Sequence, residues 1–336
     1  MSGLIVRARA GADAGAKSGF GCHLGGHSGK QPGLCHAADL GSRLGARLAV
    51  RSLHAELLLF PKPGLVSGVD SGSHSDMDAQ TFMRSLFSLR HYFRQITLAG
   101  AQDADFATLR ELGIAAEARM LAATSGVNTH RGAIFALGLL CAALGRAHAS
   151  ANAISGSTFT LFSASTFVSV SPSALQRQLR ERWGQDLAHH AASQNGRAKA
   201  VRALSHGLQV RARYAVAGAR EQAAQGLPAV FDLALPTLQR SLKQGQAWQA
   251  AALETLFTLM AHVHDSNVLY RAGRRGMDLV RGQAQLFLAQ GGCAAEGWHA
   301  RALACHRLFV ANRLSPGGVA DLFAATCFVH FASGGL

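Results

Sequence analysis

The sequence predicts an all-α protein, a single globular multi-helix domain behind a flexible N-terminal extension. Three observations carry that expectation. Apolar residues recur three and four apart over long stretches, strand-type alternation is scarce, and aromatics make up only 7% of 336 residues. No βαβ alternation and no GxxxxGK[ST] loop is present, so Rossmann and Walker chemistry are excluded.

The first 37 residues are rich in Gly, Ala and Ser with little periodicity, and read as the extension. They lack an apolar core followed by a cleavage site. The globular domain spans 38–336. Residues 38–60 place Leu40, Leu44, Leu48, Leu53 and Leu57 on one helical face, with Glu56 near the end, on the unfavourable side of the helix dipole. Helices follow at 76–99, carrying Phe82, Leu86, Leu89 and Phe93, and at 103–123, carrying Phe106, Leu109, Leu112 and Met120. The apolar run 132–145 is shorter than the roughly 20 residues of a membrane span and reads as a buried core helix. Residues 150–172, rich in Ser, Thr, Phe and Val, fit either a short strand pair or a helix. Pro172 ends the ambiguity, and 173–192 is helical by period.

Further helices are expected within 195–227, between Pro228 and Pro236, and at 248–264, 277–289, 297–313 and 318–331.

Composition narrows function. A formal charge of +14 favours an anionic partner. The basic residues are scattered, and no zinc-finger, RNP-type or basic-region motif accompanies them, which argues against dedicated nucleic-acid binding. Six widely spaced cysteines without a C-x-x-C pair read as reduced thiols of a cytoplasmic protein. His23, His27 and His36 could hold a metal weakly but read first as part of a disordered tail, and His189, His190 and His206, separated by helix and loop, imply no metal cluster.

The chemistry concentrates in PKPGLVSGVDSGSHSDMD, residues 61–78. Pro61 and Pro63 stiffen the chain around Lys62, making its ammonium a placed point charge. Gly64, Gly68 and Gly72 permit tight turns or a close ligand. Asp76 and Asp78, two apart at a helix start, suit capping, and equally a Mg²⁺ shared with a polyphosphate. Further along, Asn128, His130, Arg131 and Gly132 open the apolar helix, a stretch that on sequence alone suits an ordinary Asn/Thr cap with a surface arginine and, through its unpaired N–H groups, also a phosphate cradle. Arg220 follows a glycine-punctuated turn, and Asp265, Asn267 and Arg271 cluster at another helix boundary with His262 and His264 near the rim. The turn at 314–318 reads as structural, with Asp321 in the first turn of the helix behind it.

These motifs, taken in order, resemble those of the triphosphoribosyl-dephospho-CoA synthases. The resemblance rests on 61–78, Gly126–Ala133, Gly218–Glu221, Asp265–Asn267 with Arg271, and Leu314–Asp321, and so covers roughly residues 40 to 332. It implies transfer of the 5-triphosphoribosyl group of ATP to the 2′-hydroxyl of 3′-dephospho-CoA with release of adenine, Mg²⁺ as cofactor, and no membrane partner. On that basis Asp76 and Asp78 are expected on the metal, and Lys62, Asn128, Arg131, Gly132, Arg220, Asn267 and Arg271 on nucleotide and phosphates. Glu56 or Asp265 is expected as base or cation stabiliser, and His74 or His130 as proton donor. Ser266 replaces the family's usual threonine and keeps the hydroxyl, while Ser67 makes 65–72 closer to the malonate decarboxylase branch than to the citrate lyase branch. The product would then go to the acyl-carrier subunit of a decarboxylase or lyase. Two other readings remain open at this stage, an all-helical Mg²⁺-dependent ADP-ribosyl hydrolase and a basic nucleic-acid-binding protein.

Overall fold

The structure, a computed structural model, describes residues 32–155, 169–196 and 219–335. Residues 1–31 of the expected extension lie outside the described residues, as do His206, Gly218 and most of the ambiguous stretch after Ser155, whereas 32–37, also assigned to the extension, are helical. Every regular element among the described residues is helical.

In order, the helices are α1 (Pro32–Leu58), α2 (Ala79–Ser88), α3 (Arg90–Ala101), α4 (Phe106–Ala123), α5 (Arg131–Ser155), α6 (Pro172–Gly196) and α7 (Ala219–Ala224). They continue with α8 (Leu235–Lys243), α9 (Trp248–His262), α10 (Ser266–Ala289), α11 (Trp298–Ala311) and α12 (Gly317–Ala332). Several boundaries differ from the periodicity for local reasons. The helix expected at 76–99 starts at Ala79, because Asp78 is its N-cap and accepts from the Thr81 N–H at 2.8 Å. It is interrupted at Leu89, which is fully buried. Pro236 does not end a helix but sits in the first turn of α8, where its missing N–H is harmless. A wider turn, Ala229–Ala234, leads into it. Residues 266–289 are merged across a break at Gly273, whose φ of 66° is left-handed, so the expected helix at 277–289 is only the second part of α10.

Helix α5 is the centre of the fold and packs against α1, α3, α4, α6 and α12. From Ala133 to Leu144 it is apolar on all sides, and nearly all of that stretch is buried, as expected of a helix enclosed by others. It runs longer than the apolar run suggested and is long enough to cross a membrane by length and composition, but most of it is inside the protein. Its closest neighbour is α3. A Cβ at Gly100 would stand 2.0 Å from the Ala142 carbonyl oxygen, and one at Gly145 would stand 2.0 Å from that of Thr97. Glycine at both crossings lets the two backbones meet directly. Cys141, Cys293, Cys305 and Cys327 are buried free thiols, in keeping with the reduced state read from the sequence.

Candidate active site

The loop 59–78 leaves the end of α1 and is fixed by hydrogen bonds to the junction between α11 and α12. Gly64 has φ 68°, and a Cβ there would lie 2.0 Å from the Leu314 carbonyl oxygen. Ser73 Oγ donates to that same carbonyl at 2.6 Å. His306 on α11 joins two parts of the loop, with Nδ1 2.8 Å from the Lys62 carbonyl oxygen and Nε2 3.0 Å from Asp70 Oδ2. Two of the glycines expected to shape the loop thus serve turns: Gly72, at φ 56°, packs on the Leu65 carbonyl.

Lys62, a placed charge as the prolines suggested, is turned inward rather than toward a phosphate site. It is fully buried, and its ammonium donates to the carboxylate of Glu56 and, at 2.8 Å, to the Glu56 carbonyl oxygen. Burial pushes the Glu56 carboxyl up and the Lys62 ammonium down, each opposed by the charge of the other. The glutamate at the unfavourable end of α1 is there to be paired.

Three helix starts meet beside this pair. Asp265 caps α10, its Oδ1 accepting from the N–H groups of Asn267 at 2.8 Å and Val268 at 3.1 Å. Its Oδ2 accepts from Val319 at 2.8 Å, in the first turn of α12, and Gly318 N–H also donates to it. One buried carboxylate therefore ties two helix ends together, and these donors oppose the upward push of burial on its pKa.

Asp321 lies beyond the first turn of α12, contrary to the expectation that it serves its own helix end. It accepts instead from the Ala133 N–H at the start of α5. Burial, and then the charges of Glu56 and Asp265, hold its carboxyl well above the usual carboxylate range. A Cβ on Gly132 would fall 2.0 Å from Asp321 Oδ2, on Gly318 3.0 Å from Asp265 Oδ2, and on Gly317 2.9 Å from Asn267 Nδ2. Glycine at these helix starts leaves room for the acids and amide packed against them. Sequence reading missed Asp321 as a site group; its signal was an acid four residues beyond a Gly-Gly helix start.

His130 is buried immediately before α5. Its Nδ1 is 2.6 Å from Ser85 Oγ, which itself receives the Thr129 hydroxyl proton at 2.7 Å. Ser85 is thereby left to donate to Nδ1, placing the imidazole proton on Nε2, which is buried without a partner. Burial, with the Lys62 charge adding to it, drives the His130 pKa down to about 3. His74, half-buried, has Nε2 2.8 Å from Ser315 Oγ, and burial followed by the Arg271 charge lowers its pKa. Neither ring is thus held as an imidazolium acid; each offers neutral nitrogen atoms.

The His130 shift has a measurable consequence. A native pKa below the ordinary value near 6.5 contributes stability that is complete above that value and is lost as pH falls toward about 3. Going from pH 7 to pH 5 should remove about 2 kcal/mol through this group. The loss should be absent in His130→Phe, as read from urea midpoints at the two pH values.

The remaining expected residues lie around this centre or away from it. Asn128 is exposed and accepts from the Arg131 N–H at 3.2 Å, while the Arg131 guanidinium is paired with Glu117. Asn267 is half-exposed beside Gly317, and Arg271 is exposed near His74. His262 and His264 are exposed, the latter 3.0 Å from Arg281. Arg220 is half-buried near Arg110, in the early turns of α4.

Asp76 is exposed, 3.4 Å from His74 Nδ1. Asp78 is exposed as well and uses Oδ1 for the Thr81 N–H and hydroxyl, which hold its pKa low. Among the described residues no three His, Cys, Asp or Glu side chains form a ready metal cage. A Mg²⁺ at this pair would need substrate phosphates to complete its shell, with Asp76, released from His74, and the oxygen of Asp78 not used by Thr81 as the protein ligands.

Residues 42–335 match the CitG family, described as ATP:dephospho-CoA triphosphoribosyl transferase. A protein of Acinetobacter calcoaceticus named "Probable 2-(5''-triphosphoribosyl)-3'-dephosphocoenzyme-A synthase" is 37% identical over 286 residues, covering 84% of this chain and 88% of the relative. Same-named proteins of Stutzerimonas stutzeri (39% identity, 84% of this chain, 90% of the relative) and Vibrio cholerae (34%, 86% and 88%) are similarly related. No solved structure matches significantly. With nearly the whole described chain matched and its helix starts gathered around buried acids, the protein belongs to the ATP:dephospho-CoA triphosphoribosyl transferase family and is a transferase.

Proposed function

We propose that the chain transfers the 5-triphosphoribosyl group of ATP to the ribose 2′-hydroxyl of 3′-dephospho-CoA, releasing adenine and forming 2′-(5″-triphosphoribosyl)-3′-dephospho-CoA. The observation that carries this reading is the meeting of the α5, α10 and α12 starts at glycines beside Glu56, Asp265 and Asp321. Helix starts favour anions, and buried carboxylates favour a sugar centre that becomes positive as its base departs. The bond between C1′ and adenine breaks as the bond to the acceptor oxygen forms, through an oxocarbenium-like transition state. Asp265 holds α10 and α12 in place for this, and the Glu56–Lys62 pair sets the charge behind them. His130 offers its Nε2 proton as a hydrogen bond from a fixed, neutral ring. Arg271, exposed near His74, and the half-buried Arg131, on leaving Glu117, are the cations for the triphosphate.

Asp76 and Asp78 would hold Mg²⁺, which offsets phosphate charge when bound. Ser67 supports assignment to the malonate decarboxylase pathway, with the acyl-carrier subunit of that enzyme as the destination of the product. A cytoplasmic location follows from these substrates and agrees with the buried free thiols.

The test is incubation with ATP, Mg²⁺ and 3′-dephospho-CoA, with mass analysis of the products. Adenine together with the triphosphoribosyl adduct supports transfer; adenine with free triphosphoribose in the absence of dephospho-CoA would mark a hydrolase. Asp76→Asn and Asp78→Asn should lose most turnover while staying folded, because asparagine at position 78 still caps α2. Normal rates in both would remove the metal from this pair.

A further inference from the structure

We infer that Asp321 is the catalytic base of the transfer, accepting the proton of the acceptor 2′-hydroxyl. This rests on the function proposed above and goes beyond it by naming which of the three clustered acids meets the substrate.

The choice follows from what each carboxylate is already doing. Asp265 has both oxygens engaged by backbone N–H groups from two helices, and moving it would release both helix ends. Glu56 is buried and held by the Lys62 ammonium, which weakens it as a base. Asp321 has no such cation, and the donor identified for it is the single Ala133 N–H. It is also the least enclosed of the three: Glu56 is 4% and Asp265 1% exposed, whereas Asp321 is half-buried and lies among the half-exposed residues Gly132, Gly317 and Gly318. A rim without side chains thus adjoins the buried carboxylate. An independent sign that a ligand belongs here is His130, 3% exposed at the same helix start, with an Nε2 that no protein group satisfies.

In the step assigned to Asp321, the acceptor O–H bond breaks and its proton passes to the carboxylate. The oxygen lone pair forms the new bond to C1′ as the C1′–N bond breaks. That electron pair leaves with adenine, which gains a proton from solvent or a neighbouring donor. No redox partner is needed.

The groups facing Asp321 are Glu56 from α1 and Asp265 from the α10 start, both acidic, with Lys62 behind Glu56 and His130 at the α5 start. A base in this setting must lose its proton to work, so wild-type turnover should rise with pH along a single ionisation.

The experiment uses the full chain with ATP, Mg²⁺ and 3′-dephospho-CoA. Wild type must first give the adduct; if it does not, the proposed function fails, whatever Asp321 does. Given wild-type transfer, Asp321→Asn should bind ATP within a few-fold of wild type, turn over about 100- to 10,000-fold more slowly, and lose the acid limb of the pH profile. Asp321→Ala should regain part of its rate with added formate. Turnover within tenfold of wild type, or a large loss with an unchanged pH limb and no formate rescue, overturns the assignment. Failure of both variants to fold also overturns it, since the carboxylate would then be a brace between α5 and α12.

Discussion

Lys62→Met should destabilise the protein by about 3–5 kcal/mol, the typical cost of leaving one member of a buried ion pair alone. Lys62 is fully buried and Glu56 is 4% exposed, so neither can turn to water without opening the loop. Without the ammonium, the Glu56 carboxyl must stay protonated. Its native pKa, already raised by burial, then rises further above the unfolded value. Such a group contributes stability below its unfolded pKa and loses it as pH climbs through the native value. The penalty of Lys62→Met should therefore be larger at pH 8 than at pH 5. Adding Glu56→Gln should restore most of it, because a neutral amide leaves no charge stranded. Urea midpoints of the two single variants and the double variant check the cycle. A pH-independent loss, or no recovery in the double variant, would mean that the pair is not coupled as the structure has it.

Gly132→Ala should have the opposite profile, a large effect on rate and a small one on folding. The added methyl would meet Asp321 Oδ2 at 2.0 Å, so the carboxylate must move from its place at the α5 start. Alanine favours the helix by up to about 1 kcal/mol relative to glycine, which offsets part of the strain. Displacing a site group by this scale typically costs on the order of 100-fold in rate. Thermal melting close to wild type with adenine release lowered to that extent is the expected result. Undiminished release would show that the position of Asp321 is not critical.

These two expectations draw on different kinds of information. That position 132 must be glycine could be suspected from its place at a helix start, but what it makes room for lies 189 residues away in sequence. Helical periodicity was enough to find α1, α4, α5 and α12, because each carries a sustained apolar face or is apolar throughout. It could not find the breaks at Leu89 and Gly273, where the chain departs from helix within an otherwise continuous pattern.

Residue chemistry picked out Glu56, Lys62 and Asp265 before any coordinates, since charged or proline-flanked residues inside apolar surroundings need a reason to be there, and the family resemblance added His130. Their roles were less legible. Lys62 looked like a phosphate ligand and is the partner of Glu56; Asp265 looked like a reacting acid and is a brace.

What the sequence determined by itself was the class of the fold and the set of unusual residues, because spacing and side-chain type are local properties. Which acid stands free and which is bound was decided only by the tertiary structure. The donors at Asp265 Oδ2 and the donor for Asp321 come from helix starts remote in the chain, and a carboxylate's chemistry depends on the donors and charges that packing brings within a few ångströms.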